Sequence, residues 1–150
     1  MTFTIEDIKY LRDHTGMSFG ECRGALKEAG GSRERALELL RQRGVRIAEK
    51  KAFRETREGR IESYAHATGK IAALVELQCE TDFVARNEVF KSLAHEVAMQ
   101  IAAMAPASIE ELLGQDFIRE PGKTVGGYLT ETIARLGENI KVTRFERWEM

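Results

Sequence analysis

Only two cysteines, Cys22 and Cys79, occur among the 150 residues. Two cannot build the disulfide framework of a small secreted scaffold, and neither has the neighbours of a zinc site, so a reducing compartment is the simpler expectation. No apolar run approaches the ~20 residues of a membrane helix. The opening Met1-Thr2-Phe3-Thr4-Ile5-Glu6 lacks both the charged start and the apolar core of a signal peptide, and the expectation is a soluble, cytoplasmic protein. An excess of one charge is missing too: 23 Lys and Arg stand against 24 Asp and Glu, a formal net charge of -1. That excludes a uniformly basic surface gripping nucleic acid along its length. There is no G-x-x-x-x-G-K-[ST] phosphate loop, so the chain is not expected to bind GTP itself. His14, His66 and His95 belong to three different elements and Cys22 falls in the buried stripe of a helix, which leaves no Cys–His nucleophile pair. Glu80 and Asp82 form a nearby carboxylate pair, yet nothing around them suggests a pocket. No catalytic residue, cofactor or metal is expected.

What is present is ordinary globular composition, 43% hydrophobic and 31% charged, enough for one domain or a small module joined to a larger one. Residues 4 to 44 read as three short helices. Thr4 can cap the first, with Ile5, Ile8 and Leu11 on one face and Thr15-Gly16 ending it. Ser18-Phe19-Gly20-Glu21 has the form of a capping box, in which the Ser18 hydroxyl accepts from the backbone N–H of Glu21 and the Glu21 carboxylate reaches back. It opens a second helix through Cys22, Ala25, Leu26 and Ala29, closed by Gly30-Gly31. Ser32 caps a third, whose Ala36, Leu37, Leu39 and Leu40 lead to a stop at Gly44. So few large side chains make a thin core, suited to presenting one face.

From Arg41 to Arg60 eight basic residues (Arg41, Arg43, Arg46, Lys50, Lys51, Arg54, Arg57, Arg60) face three acidic ones, Glu49, Glu55 and Glu58, a local excess of five. Such a run could displace counterions from phosphates, but Phe53 is its only aromatic platform, and mixed charge runs commonly line exposed helices. Beyond it, Arg60 to Ala67 and Ile71 to Cys79 read as strands joined by a Thr68-Gly69 turn. Ile71, Ala73, Val75, Leu77 and Cys79 share the core face, and Ala72, Leu74, Glu76 and Gln78 the other. Asn87 caps a helix whose Phe90, Leu93, Val97 and Ile101 form a buried stripe, with Ala94 and Ala98 permitting close approach. Ser108-Ile109-Glu110-Glu111-Leu112-Leu113 suggests one more helical turn. Thr124 starts a helix ending at Gly137, with Val125, Leu129, Ile133 and Leu136 on one side. Residues 140 to 149 form a last strand whose alternation shifts: Ile140, Val142 and Trp148 are expected on one side and Phe145 on the other, through a bulge or a sheet with partners on both faces. The expected fold class is α+β, a three-helix module followed by a small three-stranded antiparallel sheet packed with helices.

Between the second strand and the Asn87 helix lies Cys79-Glu80-Thr81-Asp82-Phe83-Val84-Ala85-Arg86-Asn87. A Phe in this loop, flanked by Asp82 and Arg86, is hard to bury in its own domain while both charges stay wet, so a partner's pocket becomes the candidate for it.

Several blocks carry a resemblance. Leu11-Arg12, Thr15-Gly16, Cys22, Ala25-Leu26, Ala29, Ala36 and Leu40-Arg41 through Gly44 resemble the N-terminal module of the elongation factor Ts family, a three-helix fold similar to ubiquitin-associated domains. Val75-Glu76-Leu77, the Cys79 to Asn87 run, and Ile133-Ala134 with Gly137-Glu138-Asn139-Ile140 resemble that family's core. The resemblance implies an exchange factor that binds the GTPase elongation factor Tu and loosens GDP and Mg²⁺ without covalent chemistry. Carried onto this sequence, it implies a partner-binding set of Asp82 and Phe83 at the intruding tip with Thr81 and Val84, plus Lys9, Arg12 and Phe19 in the first module. Thr81, Val84 and Asn87 are expected to shape the loop more than to touch the partner. The family usually has a Met pair where this chain has Met17-Ser18-Phe19-Gly20, so Phe19 either stands in for the pair or packs on its own module. Longer members carry a second core half and a coiled-coil hairpin where this chain has only Ala107 to Lys123. The division expected is 1-44 for a module binding the G domain, 45-59 for a basic helical linker, and 60-150 for an α+β core. Because one face of the sheet is left uncovered, a symmetric homodimer is expected, and direct contact with nucleic acid is not. The rival reading is a module without exchange activity that binds RNA or another protein through the three helices and the basic linker.

Overall fold

Side chains that can accept from the first free backbone N–H groups set where most of the helices begin. The structure, a computed structural model, describes residues 2–150. The first three helices are α1 (Ile5–Thr15), α2 (Phe19–Glu28) and α3 (Arg33–Lys51), opened by Thr4, Ser18 and Ser32. The two-way capping box sits at Thr4, where Thr4 N donates to Asp7 Oδ2 at 2.7 Å and Asp7 N donates to Thr4 Oγ1 at 3.3 Å. At Ser18 only half of the expected box forms. Glu21 N donates to Ser18 Oγ at 3.2 Å, but the Glu21 carboxylate turns to Arg43 on α3, 2.8 Å away. A charged partner from another helix outcompetes a local bond to a neutral amide.

The third helix does not stop at Gly44. It runs unbroken through nineteen residues to Lys51, spanning roughly 28 Å. A glycine inside a helix costs ~1 kcal/mol relative to alanine, and packing offsets it here: Gly44 is buried where α3 meets α7 (Val125–Leu136), and a Cβ there would stand 3.4 Å from that of Ala134. The Arg135 stem lies against Gly16, leaving no room for a side chain at that left-handed position. The small helical core of Ile8, Leu11, Met17, Cys22, Ala25, Leu26, Ala36 and Leu40 is thus braced against the rest of the chain along α3.

The second core begins with a hairpin of β1 (Glu58–Ala65) and β2 (Ile71–Cys79), joined by a turn in which Gly69 adopts φ +72°. Gly59 sits so close to the Leu77 carbonyl that any side chain would collide with it. The strand β3 (Lys141–Glu149) pairs antiparallel with the other side of β2, giving the order β1-β2-β3. Ala73, Val75, Leu77 and Cys79 are buried under α5 (Glu88–Met104), in one core with residues of α7, as the alternation predicts. Phe90, Leu93, Val97 and Ile101 fill the space between, each such side chain contributing roughly 1.5–3 kcal/mol by leaving water. A short helix, α6 (Ile109–Gly114), closes the end of this layer through Leu112.

The bulge in β3 is real, and it reverses part of the expected facing. Pairing passes from Glu76–Arg144 to Leu77–Val142, so Thr143 is the extra residue. Val142 and Phe145 therefore both face the core, while Trp148 turns outward beside Ala72 at 77% exposure. No helix among the described residues is long and apolar enough to cross a membrane.

Candidate functional site

The chain leaves β2 at Cys79 and, before entering α5, makes one helical turn that the sequence reading took for a loop: α4 (Asp82–Ala85). Thr81 caps it, Oγ1 accepting from Val84 N at 3.3 Å, and Asn87 at once caps the next helix through Val89 N at 2.8 Å. In a turn so short, residues about 100° apart must point to different surroundings. Val84 and Ala85 point inward and are 5% exposed each, anchoring the turn on the core. Phe83 points away at 84% exposed. Asp82 Oδ2 lies 2.6 Å from Arg86 Nη2 on the solvent side, an exposed pair that orients the carboxylate beside the ring. Val84 is thus buried within the tip, while Thr81 is exposed and caps the turn.

Beneath the turn, Cys79 Sγ donates to Thr81 O at 3.2 Å. Burial first, then the nearby Glu138 charge, push the Cys79 thiol up to about 11, so it stays protonated and unreactive at neutral pH. One residue here was marked by sequence reading only as part of a matching block. The Glu138 carboxylate reaches across from the end of α7, Oε1 accepting from Glu80 N at 3.1 Å and Thr81 N at 3.0 Å, and Oε2 from Thr81 Oγ1 at 2.7 Å. No periodicity or spacing argument could have found it, because the pairing spans 57 residues.

The first-module candidates lie on the helices expected to carry them. Lys9 and Arg12 are exposed on α1 and take part in no ion pair among the described residues. Phe19 begins α2 and is 47% exposed, while Met17 beside it is buried in the module core. In the basic run, Arg43, Arg54, Arg57 and Arg60 are held in ion pairs with Glu21 and Glu28, Glu80, Glu55, and Glu62. Half of the cations that a nucleic-acid groove would need are therefore already paired internally.

The larger cleft lies elsewhere. It holds about 540 Å³ between α1, α3 and the start of α7, lined by Met17, Leu37, Val45, Pro121 and Ala134 among others. Its Lys123 is taken up by Glu120 at 2.9 Å and Glu131 at 2.6 Å. The histidines sit apart: His14 Nδ1 is 2.7 Å from Tyr10 O, His66 is on the hairpin turn 3.0 Å from Thr68 Oγ1, and His95 packs edgewise on Tyr64. Among the described residues no group of three or more His, Cys, Asp or Glu side chains could hold a metal ion. The tip thus presents one exposed ring, Phe83, beside the Asp82–Arg86 ion pair.

Comparison with known proteins adds the following. The profile of the family described as Elongation factor TS matches residues 80–150. The whole chain aligns at 39% identity with an elongation factor Ts of Nitratidesulfovibrio vulgaris, over 195 positions and 98% of that relative's length. One from Leptospira biflexa is 37% identical with the same coverage. One from Aquifex aeolicus is 44% identical over 154 positions, covering 99% of this chain and 53% of the relative. Since 150 residues spread over 195 positions in the first case, about 45 positions of that relative have no counterpart here.

Proposed function

Since the chain belongs to the elongation factor Ts family, a family of translation elongation factors, we propose that it binds the GTPase elongation factor Tu and promotes release of GDP and Mg²⁺ by inserting the Asp82–Phe83 tip into the G domain. The observation that carries this is the contrast within one helical turn: Phe83 is 84% exposed while Val84 and Ala85 are 5% exposed. A bare ring on an anchored mount costs free energy in water, and a partner's pocket recovers it.

No covalent bond is made or broken. The mechanism is linkage: whatever lowers nucleotide affinity when the factor binds must lower factor affinity equally when nucleotide binds. A GTPase holds Mg²⁺ in near-ideal octahedral geometry, so a small displacement of the elements carrying its ligands loosens both metal and nucleotide. Phe83 supplies the displacement and Asp82 a directed carboxylate beside it. Lys9, Arg12 and Phe19 make a second contact on the G domain. Residues 1-44 form that contact, 45-59 set its distance, and 60-150 carry the tip, all in the cytoplasm.

The proposal extends to self-association through the core. Ile61, Leu74 and Trp148, at 63%, 48% and 77% exposure, lie on the face of the sheet away from the helices. A second copy packing on this face would form a homodimer and cover all three.

The test is release of fluorescently labelled GDP from elongation factor Tu with and without the protein, alongside RNA titrations across a salt series. Faster release with no salt-dependent RNA binding is expected. Unchanged release would overturn the proposal.

A further inference from the structure

We infer that Glu138, backed by Asn139, is a positioning residue for the exchange tip: its carboxylate fixes the direction in which Phe83 leaves the surface. This rests on the reading of Phe83 as the inserted group. The need follows from size, because helices shorter than ~12–15 residues are marginal on their own and α4 has four. Burial of Val84 and Ala85 holds the turn from below. Its other end is held by one carboxylate, which takes the two successive N–H groups of Glu80 and Thr81 and the hydroxyl that caps the helix.

The hold is reciprocal. Asn139 N donates to Glu80 Oε2 at 3.0 Å, so each segment's carboxylate accepts from the other's backbone. Asn139, 2% exposed, passes the restraint on: its Nδ2 donates to Arg54 O at 2.8 Å and to Ala52 O at 3.4 Å, just past the end of α3. Arg54 Nη1 in turn stands 3.7 Å from Glu80 Oε1. The tip, the segment after α7 and the segment after α3 are thereby tied at one point.

These bonds position more than they stabilise. Thr81 is exposed and Glu80 only half-buried, so water can replace Glu138 at their N–H groups with little loss of fold stability. A wedge depends on geometry, and an ångström of misplacement at a positioned group can cost up to ~100-fold in rate.

The experiment is stopped-flow release of labelled GDP from elongation factor Tu at factor concentrations raised to saturation, with melting curves for each variant. Glu138→Ala is expected to lower the maximal release rate by roughly 10-fold, with a smaller shift in the half-saturating concentration and a melting temperature near the parent's. Glu138→Gln, whose amide oxygen can still accept from both N–H groups, should stay within about threefold of the parent. In the Phe83→Ala background, whatever acceleration remains above the unassisted rate should be lowered no further by Glu138→Ala, since both act through the same ring. A parental maximal rate for Glu138→Ala, a Gln variant as slow as the Ala variant, or full additivity in the double variant would each overturn the inference. Should Glu138→Ala fold poorly, Glu138→Met, which keeps the side chain's length but accepts from neither N–H group, and its own cycle with Phe83→Ala decide in its place. Phe83→Ala slow with Glu138→Ala unaffected removes only the positioning role; Phe83→Ala at the parental rate removes the wedge and this inference with it.

Discussion

At the α4 tip one ring stands out from a helical turn whose neighbours are sunk in the core, whereas on the outer face of the sheet three apolar side chains are spread across three strands. A prong needs a slot in a different molecule, while a plane can meet its own copy across a two-fold axis. The two surfaces belong to one core, and in the reading proposed above they answer to different partners. Each should then be open to disruption with the other left intact.

The largest effect belongs to the prong. Phe83→Ala should weaken the complex with elongation factor Tu by ~2–4 kcal/mol, the range of an interface hot spot, or roughly 30- to 1000-fold. Titration calorimetry measures it, and self-association should not change. An affinity within ~3-fold of the parent would place the ring outside the interface.

The plane comes next. Leu74→Lys puts two cations into a symmetric contact and removes two apolar side chains at once, a loss of about 3 kcal/mol or more at roughly 1.5 kcal/mol or more each. Light scattering should then fall to the 16.9 kDa of one chain, with GDP release per chain preserved. A parent already at 16.9 kDa at high concentration would remove the sheet-face dimer.

Thr81→Val sharpens the comparison from inside the tip. It deletes the cap on Val84 N and the bond to Glu138, ~1 kcal/mol of local support. Release should slow several-fold, less than for Phe83→Ala, with the dimer untouched. Slowing equal to that of Phe83→Ala would mean that Thr81 itself touches the partner.

The effect furthest from neutral conditions is one of pH. Cys79, under the tip, has a folded pKa near 11 against an ordinary 9.0. The unfolded chain therefore loses its proton first, so this contribution to stability is full below pH 9 and is lost as pH rises toward 11. Denaturant midpoints of the parent should fall across that window more than those of Cys79→Ala. Parallel curves would show that the thiol is not buried in solution.

Much of this architecture was legible locally. Ser32, Asn87 and Thr124 announce their helices because a side-chain oxygen before an apolar stripe has few other uses, and the five alternating residues of β2 mark its core face. The failures lie where distant parts of the chain decide. Gly44 reads as a stop until α7 is seen packed on it. Glu21 completes a capping box only while Arg43 is out of view. Trp148 changes sides because the bulge at Thr143 resets the alternation by one residue. At the site, the exposed ring was legible from its charged flanks, but α4 was not, since its caps and the Glu138 clamp are tertiary.

The decisive measurement is the rate at which labelled GDP leaves elongation factor Tu at saturating protein, with Phe83 and with alanine in its place. Accelerated release by the parent, collapsing toward the unassisted rate in Phe83→Ala while the melting temperature holds, is the predicted result. Equal acceleration by both would contradict the wedge.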